Sequence, residues 1–521
     1  MALISDFLTN QDPNDNNSIF NVIGVHNEYL NYYKRWQFLI RSYMGGHSYR
    51  MGQYLTRYVY ESDNEYLKRL TVTPLENHVK AITHIYNSYL FRNPPKRNLM
   101  SLEQYPEINM LMEDADLEGR TFDSFMRDAN IMSTVYGHCL VMVEKPKSIA
   151  KTRAQELNQK IRPYLNLYTP PNILDWNWTR TESGLYELDY LKIVEVENTT
   201  YGTAETYFIR EYTNETIRLY AYHPEQKEPT SLVDEMPNDL GKIPAVWVYA
   251  NRSPSRGIGV SDVGDVADMS NSIYNDLSEL DQLIRISNHP SLVKTPDVEA
   301  AAGAGAIVTV PNELDPGLKP YMLQPSGQSI EGILNSINTK VEMIDRMSHM
   351  GAIRSIKTRQ TSGISQIAEF QLLDTRLGEK ARNLELAEEQ IWRLTANWLQ
   401  TEFDGTIKYP RAFHLKDKSL DIDTLKKAAD AKPENPAVRD YIDRKIVEAL
   451  AKDDDELHEE MGKLGIHPAM VAPNQMVKHI REMIDQGMTD EEILATHPEM
   501  KQFFNGGTSN GQVSGQDGNT Q

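Results

Sequence analysis

Hydrophobic spacing along this chain is most regular between residues 259 and 404, where it predicts three helices. From Asp262 to Ile286 the apolar residues Val266, Met269, Ile273, Leu277, Leu280 and Ile284 recur three and four apart, and Ser261 and Asp262 are placed to cap the start. From Ser329 to Met350 the stripe is Ile330, Ile333, Ile337, Val341, Ile344 and Met347. A third run opens after Thr361-Ser362-Gly363 and carries Ile364, Ile367, Phe370, Leu373, Leu377, Leu384, Ile391, Leu394 and Trp398 toward Asp404. No proline interrupts any of the three. A rise of about 1.5 Å per residue makes the first two about 30–40 Å long and the third about 60 Å. A stripe of that length needs an apolar partner at nearly every turn: either its own domain's core or copies of itself in a ring.

Residues 287–328 separate the first two helices. Pro290, Pro296, Pro311, Pro316, Pro320 and Pro325 forbid a helix there. Short strands fit between them at 292–295, 306–310 and 321–323. Upstream, helices are expected over His26–Tyr43, Pro74–Leu90 and Thr121–Ser133. Strands follow at 137–144, 163–169, 185–197, 205–212, 217–222 and 243–250, β-branched and aromatic with alternation. The basic, proline-rich turn Arg92–Arg97 and the basic connection 145–160 read as exposed loops. After the third helix, 405–415 reads as a strand returning to the upstream sheet. Residues 419–504 form a separate helical segment, with Thr489-Asp490-Glu491-Glu492 as a capping box before its last helix. Residues 1–20 are polar and expected to be mobile, and 505–521 are glycine-rich and expected to be disordered.

The order helix, small α/β excursion, helix, short loop, very long helix resembles the portal proteins of tailed bacteriophages. The residues that carry the resemblance are Gly257-Ile258-Gly259-Val260-Ser261-Asp262, the asparagine-rich run Ser270-Asn271-Ser272-Ile273-Tyr274-Asn275-Asp276, Thr361-Ser362-Gly363, and the strand Ile243-Pro244-Ala245-Val246-Trp247-Val248. The resemblance covers roughly residues 25–420, and the order of elements carries more of it than any one motif. It implies an α+β portal fold: a flexible segment 1–24, a mixed wing 25–258, stem helices 259–289 and 328–350 flanking a clip 290–327, a tunnel loop 351–362, a long kinked wing helix with its returning strand 363–418, a helical crown 419–504 and a tail 505–521.

The function the resemblance implies is a homo-oligomeric, usually dodecameric ring at one capsid vertex. It would conduct double-stranded DNA during packaging and ejection. Its partners would be the terminase large subunit, a head–tail adaptor, and the major capsid and scaffolding proteins. The alternative is a non-viral helical scaffold or adaptor that oligomerises through the same helices and never meets DNA.

Charge sharpens this picture. The chain of 521 residues carries 74 acidic and 54 basic residues, net −20. Such a balance argues against gripping nucleic acid by broad neutralisation, while a like-charged wall lets DNA slide past. The run 262–281 holds Asp262, Asp265, Asp268, Asp276, Glu279 and Asp281 with no Lys or Arg. Of these Asp265, Asp268, Asp276 and Glu279 are the expected acidic stem. The loop 351–362 is the reverse, with three basic residues and no acidic one. Its Arg354, Lys357, Thr358, Arg359 and Gln360 are the expected DNA-facing tunnel loop. Ile273, Leu277, Leu280, Ile337, Val341 and Ile344 are the expected contacts between copies.

Enzyme signatures are missing. There is no P-loop, dinucleotide fingerprint, His-Glu-x-x-His or nucleophile elbow. The single cysteine, Cys139, lies in an apolar run and reads as a buried strand residue. Asp12, Asn14 and Asn16 lack the glycine and the final glutamate of a calcium loop, having Asn17 and Ile23 instead. No catalytic residue, cofactor or metal is expected. No apolar run reaches membrane-spanning length, and a soluble protein made in a reducing host cytoplasm and built into a virion is expected.

Overall fold

The computed structural model describes residues 23–147, 152–197, 206–222, 230–288, 291–294, 315, 317, 319–323, 327–351, 363–411 and 413. All of them fall within the first of two compact units, Met1–His414. The expected tunnel loop, the crown, the tail and the N-terminal segment to residue 22 lie outside the described residues, as does the strand expected at 306–310.

The chain opens with helices α1 (Asn27–Met44), α2 (Gly46–Met51), α3 (Asp63–Val72) and α4 (His78–Leu90). Ser62 caps α3 through a reciprocal pair with Glu65, the arrangement that satisfies two orphan N–H groups at once. A short strand β1 (Lys96–Asn98), helices α5 (Pro106–Glu113) and α6 (Phe122–Tyr136), strand β2 (His138–Glu144) and helix α7 (Arg153–Asn158) follow. Strands β3 (Tyr164–Tyr168), β4 (Ile173–Arg180), β5 (Tyr186–Glu197), β6 (Thr206–Thr213), β7 (Thr216–Tyr222), β8 (Thr230–Pro237) and β9 (Ala245–Tyr249) build the sheets, with the short pair β10 (Asn251–Arg252) and β11 (Gly259–Val260) after them. Then come α8 (Gly264–Asn288), strands β12 (Ser291–Val293) and β13 (Tyr321–Leu323), α9 (Gly327–Met347), α10 (Gly363–Trp398) and β14 (Thr406–Lys408).

Two antiparallel sheets carry the upstream half. One has the order β3-β2-β9 and the other is the meander β4-β5-β6-β7-β8. Every residue of the central strand β2 is buried, which is why His138–Glu144 reads as an almost continuous apolar run. Strand β8 is the opposite case. It forms one edge of its sheet and nearly all of it is exposed, so its Thr230–Pro237 sequence lacks the alternation that marks a half-buried strand. That strand and β4 were not expected from the sequence, and neither were α2, α3 and α5.

Helix α10 lies across the smaller sheet. Trp398 Nε1 donates to Val143 O at 2.7 Å and Asn383 Nδ2 to Ala250 O at 2.8 Å. Its stripe, including Leu373, Leu377, Leu384 and Ile391, is buried in one continuous core with residues of α1, α4, α6 and both sheets. The long stripe therefore finds its partner within the chain. Helices α8 and α9 pack on each other. At the far end of this pair, β12 and β13 form an antiparallel ribbon with Leu292 opposite Met322.

Three expectations need correction. The strand after α10 does not return to the sheets: β14 pairs with β1, Ile407 opposite Arg97. Arg97 is not in an exposed turn. Its side chain is buried between Glu388 and Asp123, 2.5 Å from each, because strand pairing turns it inward onto α10. The basic connection after β2 holds helix α7, whose Arg153 pairs with Glu107 and whose Glu156 takes Lys145 at 2.8 Å.

Candidate functional site

The residues that join the sheets to α8 form a buried knot. Helix α6 ends at Gly137, which adopts φ +98° and returns its N–H to Ser133 O at 2.7 Å. That left-handed turn is a glycine C-terminus. The chain reaching β11 crosses this turn so closely that a Cβ on Gly137 would meet Gly259 O, and a Cβ on Gly259 would meet Gly137 O. Both positions require glycine for that reason.

Just beyond the crossing, Ser261 Oγ reaches Val135 O at 2.7 Å and Thr134 O at 3.1 Å, and Asp262 N donates to Thr134 O at 3.1 Å. These are terminal carbonyls of α6 that have no partner within the helix. Ser261 Oγ also accepts from Val263 N at 3.2 Å, the local turn expected from a cap residue. The Asp262 side chain does something else. Its carboxylate, 0% exposed, accepts from Lys380 Nζ at 2.5 Å, Arg376 Nη2 at 2.7 Å and Asn251 Nδ2 at 2.7 Å. Lys380 Nζ donates also to Thr134 Oγ1 at 2.8 Å. Burial pushes the Asp262 carboxyl up, but Lys380 and Arg376 together outweigh it and hold it below the usual carboxylate range. Four chain segments thus meet at Asp262: the end of α6 through its backbone N–H, β10 and the middle of α10 through its carboxylate, and the start of α8 that follows it.

A second buried charge fixes α10 further along. Glu388, 0% exposed, accepts from Arg97, Tyr409 OH at 2.5 Å and Trp392 Nε1 at 3.1 Å. His138 beside the glycine crossing is also buried. It accepts from Gly259 N through Nδ1 at 3.2 Å, and burial brings its pKa down to about 3, so it stays neutral.

The expected acidic stem is only partly a bare surface. Asp265 and Glu279 are exposed. Asp268, exposed as well, binds Arg35 of α1 through both oxygens, at 2.5 and 2.8 Å. Asp276 accepts from Lys340 Nζ at 2.5 Å and Ser336 Oγ at 3.1 Å, tying α8 to α9. Two of the four carboxylates therefore serve as clasps within the chain.

The residues expected to touch a neighbouring copy are covered wholly or in part by the chain itself. Ile273 and Ile344 are 1% and 0% exposed, and Leu280 and Ile337 are 7% and 8% exposed, within the chain's own core. Leu277 and Val341 are half-buried against the same core. Their partners within the chain are α4, α8 and α9. Arg354, Lys357, Thr358, Arg359 and Gln360 lie outside the described residues.

Sequence reasoning missed Arg35, Arg69, Arg376, Lys380 and Glu388. A signal existed for two of them. Lys380 stands between Leu377 and Leu384, and Glu388 between Leu384 and Ile391, at the three- and four-residue intervals of the apolar stripe. A charge on that stripe must be paired when buried. Cys139 is buried as expected, its Sγ 3.3 Å from Ala129 O. Among the described residues no group of His, Cys, Asp and Glu could hold a metal, and no helix is long and apolar enough to cross a membrane.

No known protein family and no curated protein matches the sequence. Solved structures do. The chain is similar to one from the neck of an empty gene transfer agent particle computed with C6 symmetry, at 10% identity and a TM-score of 0.42, covering 77% of this chain and 98% of that one. It is similar also to one from the virion of a native gene transfer agent particle, at 10% identity and a TM-score of 0.38, covering 76% of this chain and 97% of that one.

Proposed function

We propose that this chain is the portal of a phage-like particle: a ring at one capsid vertex that conducts double-stranded DNA and docks the packaging terminase and, later, a head–tail adaptor. The observation that carries the reading is the packed order of α8, the β12–β13 ribbon, α9 and the 36-residue α10. Two helices packed on each other, with a small ribbon joining their far ends and their near end knotted to a sheet domain, are a stem with a clip at its tip and a wing at its root. The Asp262 knot gives that stem a rigid root. Asp262, holding α6 through its backbone N–H and α10 through its carboxylate at the start of α8, would transmit force from the stem to the wing without relying on exposed contacts, as a conduit under packaging load needs.

In this reading Asp265 and Glu279 leave the stem weakly negative, and Arg354, Lys357 and Arg359 are the cations that meet the DNA. Weak contacts of lysine and arginine to phosphate hold DNA without fixing its register. Replacing Arg354, Lys357 and Arg359 together by Ala tests it in a packaging assay with purified heads. The expected result is rings of normal mass that package or retain less DNA. Normal packaging and retention by the triple variant overturns the role of the loop.

A further inference from the structure

We propose that Arg180, Arg252 and Arg256 form a binding site for the phosphate backbone of nucleic acid. The site lies on the sheets, apart from the loop 351–362, and does not depend on the ring reading above.

The three guanidinium groups come from different places in the chain and gather around two tyrosine rings. Arg256 lies 3.6 Å from the centre of the Tyr186 ring, and Arg180 lies 6.0 Å from the same centre. Arg252 lies 5.2 Å from the centre of the Tyr249 ring. Burial raises the Tyr249 pKa, and a hydrogen bond with the Gly257 backbone, Arg252 and Arg256 draw it partly back, so Arg256 is near Tyr249 as well. The order across the surface is Arg180, Tyr186, Arg256, Tyr249, Arg252. Two residues before Arg180 and two before Tyr249, Trp178 of β4 and Trp247 of β9 pack with ring centres 4.8 Å apart. The patch therefore spans the seam between the two sheets.

The backbone that carries these arginines is fixed. In the loop 253–258, Ser253 Oγ donates to Ser255 O at 2.9 Å and Ile258 N to Ser255 O at 3.3 Å. Trp176 Nε1 donates to Arg256 O and Trp247 Nε1 to Gly257 O, each at 3.2 Å. Gly257 has φ +85°, and a Cβ there would strike the Trp176 indole. Arg180 Nε donates to Gly184 O at 3.3 Å, inside a hairpin turn closed by Thr181 N to Leu185 O at 2.8 Å. All three arginines are nevertheless exposed. Side chains presented from so rigid a base lose less freedom when a ligand arrives.

What the patch lacks is acid. Among the described residues none of the three arginines makes an ion pair, whereas Arg69, Arg97, Arg210 and Arg376 all do. Glu187 and Asp189 of β5 alternate with Tyr186 and so point to the opposite face of the strand. Asp189 is held there by Asn177 Nδ2 at 3.0 Å. Glu182, at the exposed hairpin tip, bonds to none of the three. Cations gathered without a counter-charge repel one another, and an anion that joins them removes that repulsion. Guanidinium forks suit phosphate and carboxylate alike. Their alternation with rings along a line favours a ligand whose anions repeat at short intervals, and a nucleic-acid backbone carries one per about 3.4 Å of axis on each strand. The net charge of −20 excludes broad neutralisation; it leaves room for one local anchor that grips backbone without reading sequence.

The test measures binding of the full chain to a short labelled DNA duplex of mixed sequence, by fluorescence anisotropy across a potassium chloride series. Arg354, Lys357 and Arg359 are first replaced by Ala, so that DNA held by that loop does not mask the patch. In this background Arg180→Ala, Arg252→Ala and Arg256→Ala are combined. The control combines Lys34→Ala, Lys68→Ala and Lys80→Ala, an equal loss of exposed charge elsewhere. Circular dichroism checks folding. The arginine triple should weaken binding about tenfold or more at low salt and flatten the salt dependence by about two to three phosphate contacts, while the control changes little. Should the triple variant misfold, the single variants answer the same question, each weakening binding about two- to threefold. A labelled poly-glutamate peptide serves as the rival ligand. The inference fails if the background chain does not bind the duplex, if the arginine triple binds it as well as that chain does, or if the control loses as much. It fails also if the triple loses the peptide and keeps the DNA, since the patch then serves an acidic protein. None of these outcomes bears on whether the chain forms rings.

Discussion

Lys380 Nζ lies 2.5 Å from Asp262 Oδ2, with the two side chains 3% and 0% exposed. One comes from the middle of α10 and the other from the residues just before α8, 118 positions apart. Removing either partner strands the other in the core. Lys380→Met should cost about 3–5 kcal/mol, the range for breaking a buried pair. Asp262→Asn with Lys380→Met should recover part of that loss, since the carboxylate that Lys380→Met leaves short of a partner is then neutral. Urea denaturation of the two single variants and the double variant measures it.

The same carboxylate makes stability depend on pH in a definite direction. Its folded pKa lies below the ordinary value of 3.8. The unfolded chain therefore binds this proton more readily than the folded one. The contribution is fully present above that ordinary value and is lost as pH falls through the folded pKa. Acid unfolding monitored by tryptophan fluorescence should show a steeper loss of stability below pH ~4 in the unmutated chain than in Asp262→Asn with Lys380→Met.

Gly259→Ala should destabilise the joint between sheet and stem even though Gly259 is not a left-handed residue. Its Cβ would meet the backbone of Gly137 rather than a movable side chain. A loss of about 2 kcal/mol or more is expected, as for other overpacked sites. Gly137→Ala adds the cost of a left-handed alanine to the same collision. Thermal unfolding measures both.

How far the sequence reached can be judged from these elements. The helices α8, α9 and α10 were legible because a 3.6-residue period sustained over many turns has no other reading. The strands β4 and β8 were not. The register of β4 shifts between Ile173 and Asp175 and again between Asn177 and Trp178, and β8 is exposed on both faces, so neither shows clean alternation. The stripes were read as buried, but what buries them was left between the chain's own core and a neighbouring copy. Periodicity reports that Ile273 or Ile344 is covered, and cannot report whether its own chain or another covers it. The same limit hid the knot: Asp262 looked like a member of an acidic surface run, and only the placement of Lys380 on the apolar stripe of α10 hinted that a buried carboxylate awaited it.

Burial by the chain's own core changes what a charge in the stem should do. Leu280→Asp places a carboxylate in the intrachain core, where Leu280 is 7% exposed. It should unfold the stem or cost about 3 kcal/mol or more, by loss of burial and the desolvation of an unpaired charge. Asp276→Asn should cost only about 1 kcal/mol, because its pair with Lys340 is about one-fifth exposed. Denaturant titration separates the two, and comparable losses would place the Asp276 clasp deeper than its exposure indicates.

The central claim is that this chain closes into a ring with a channel. Electron microscopy of the purified, unmutated protein viewed down its symmetry axis tests it most directly, with mass measured on the same sample. The account predicts closed rings of many copies around an open centre. A well-folded monomer at micromolar concentration, or an oligomer with no central opening, would contradict it.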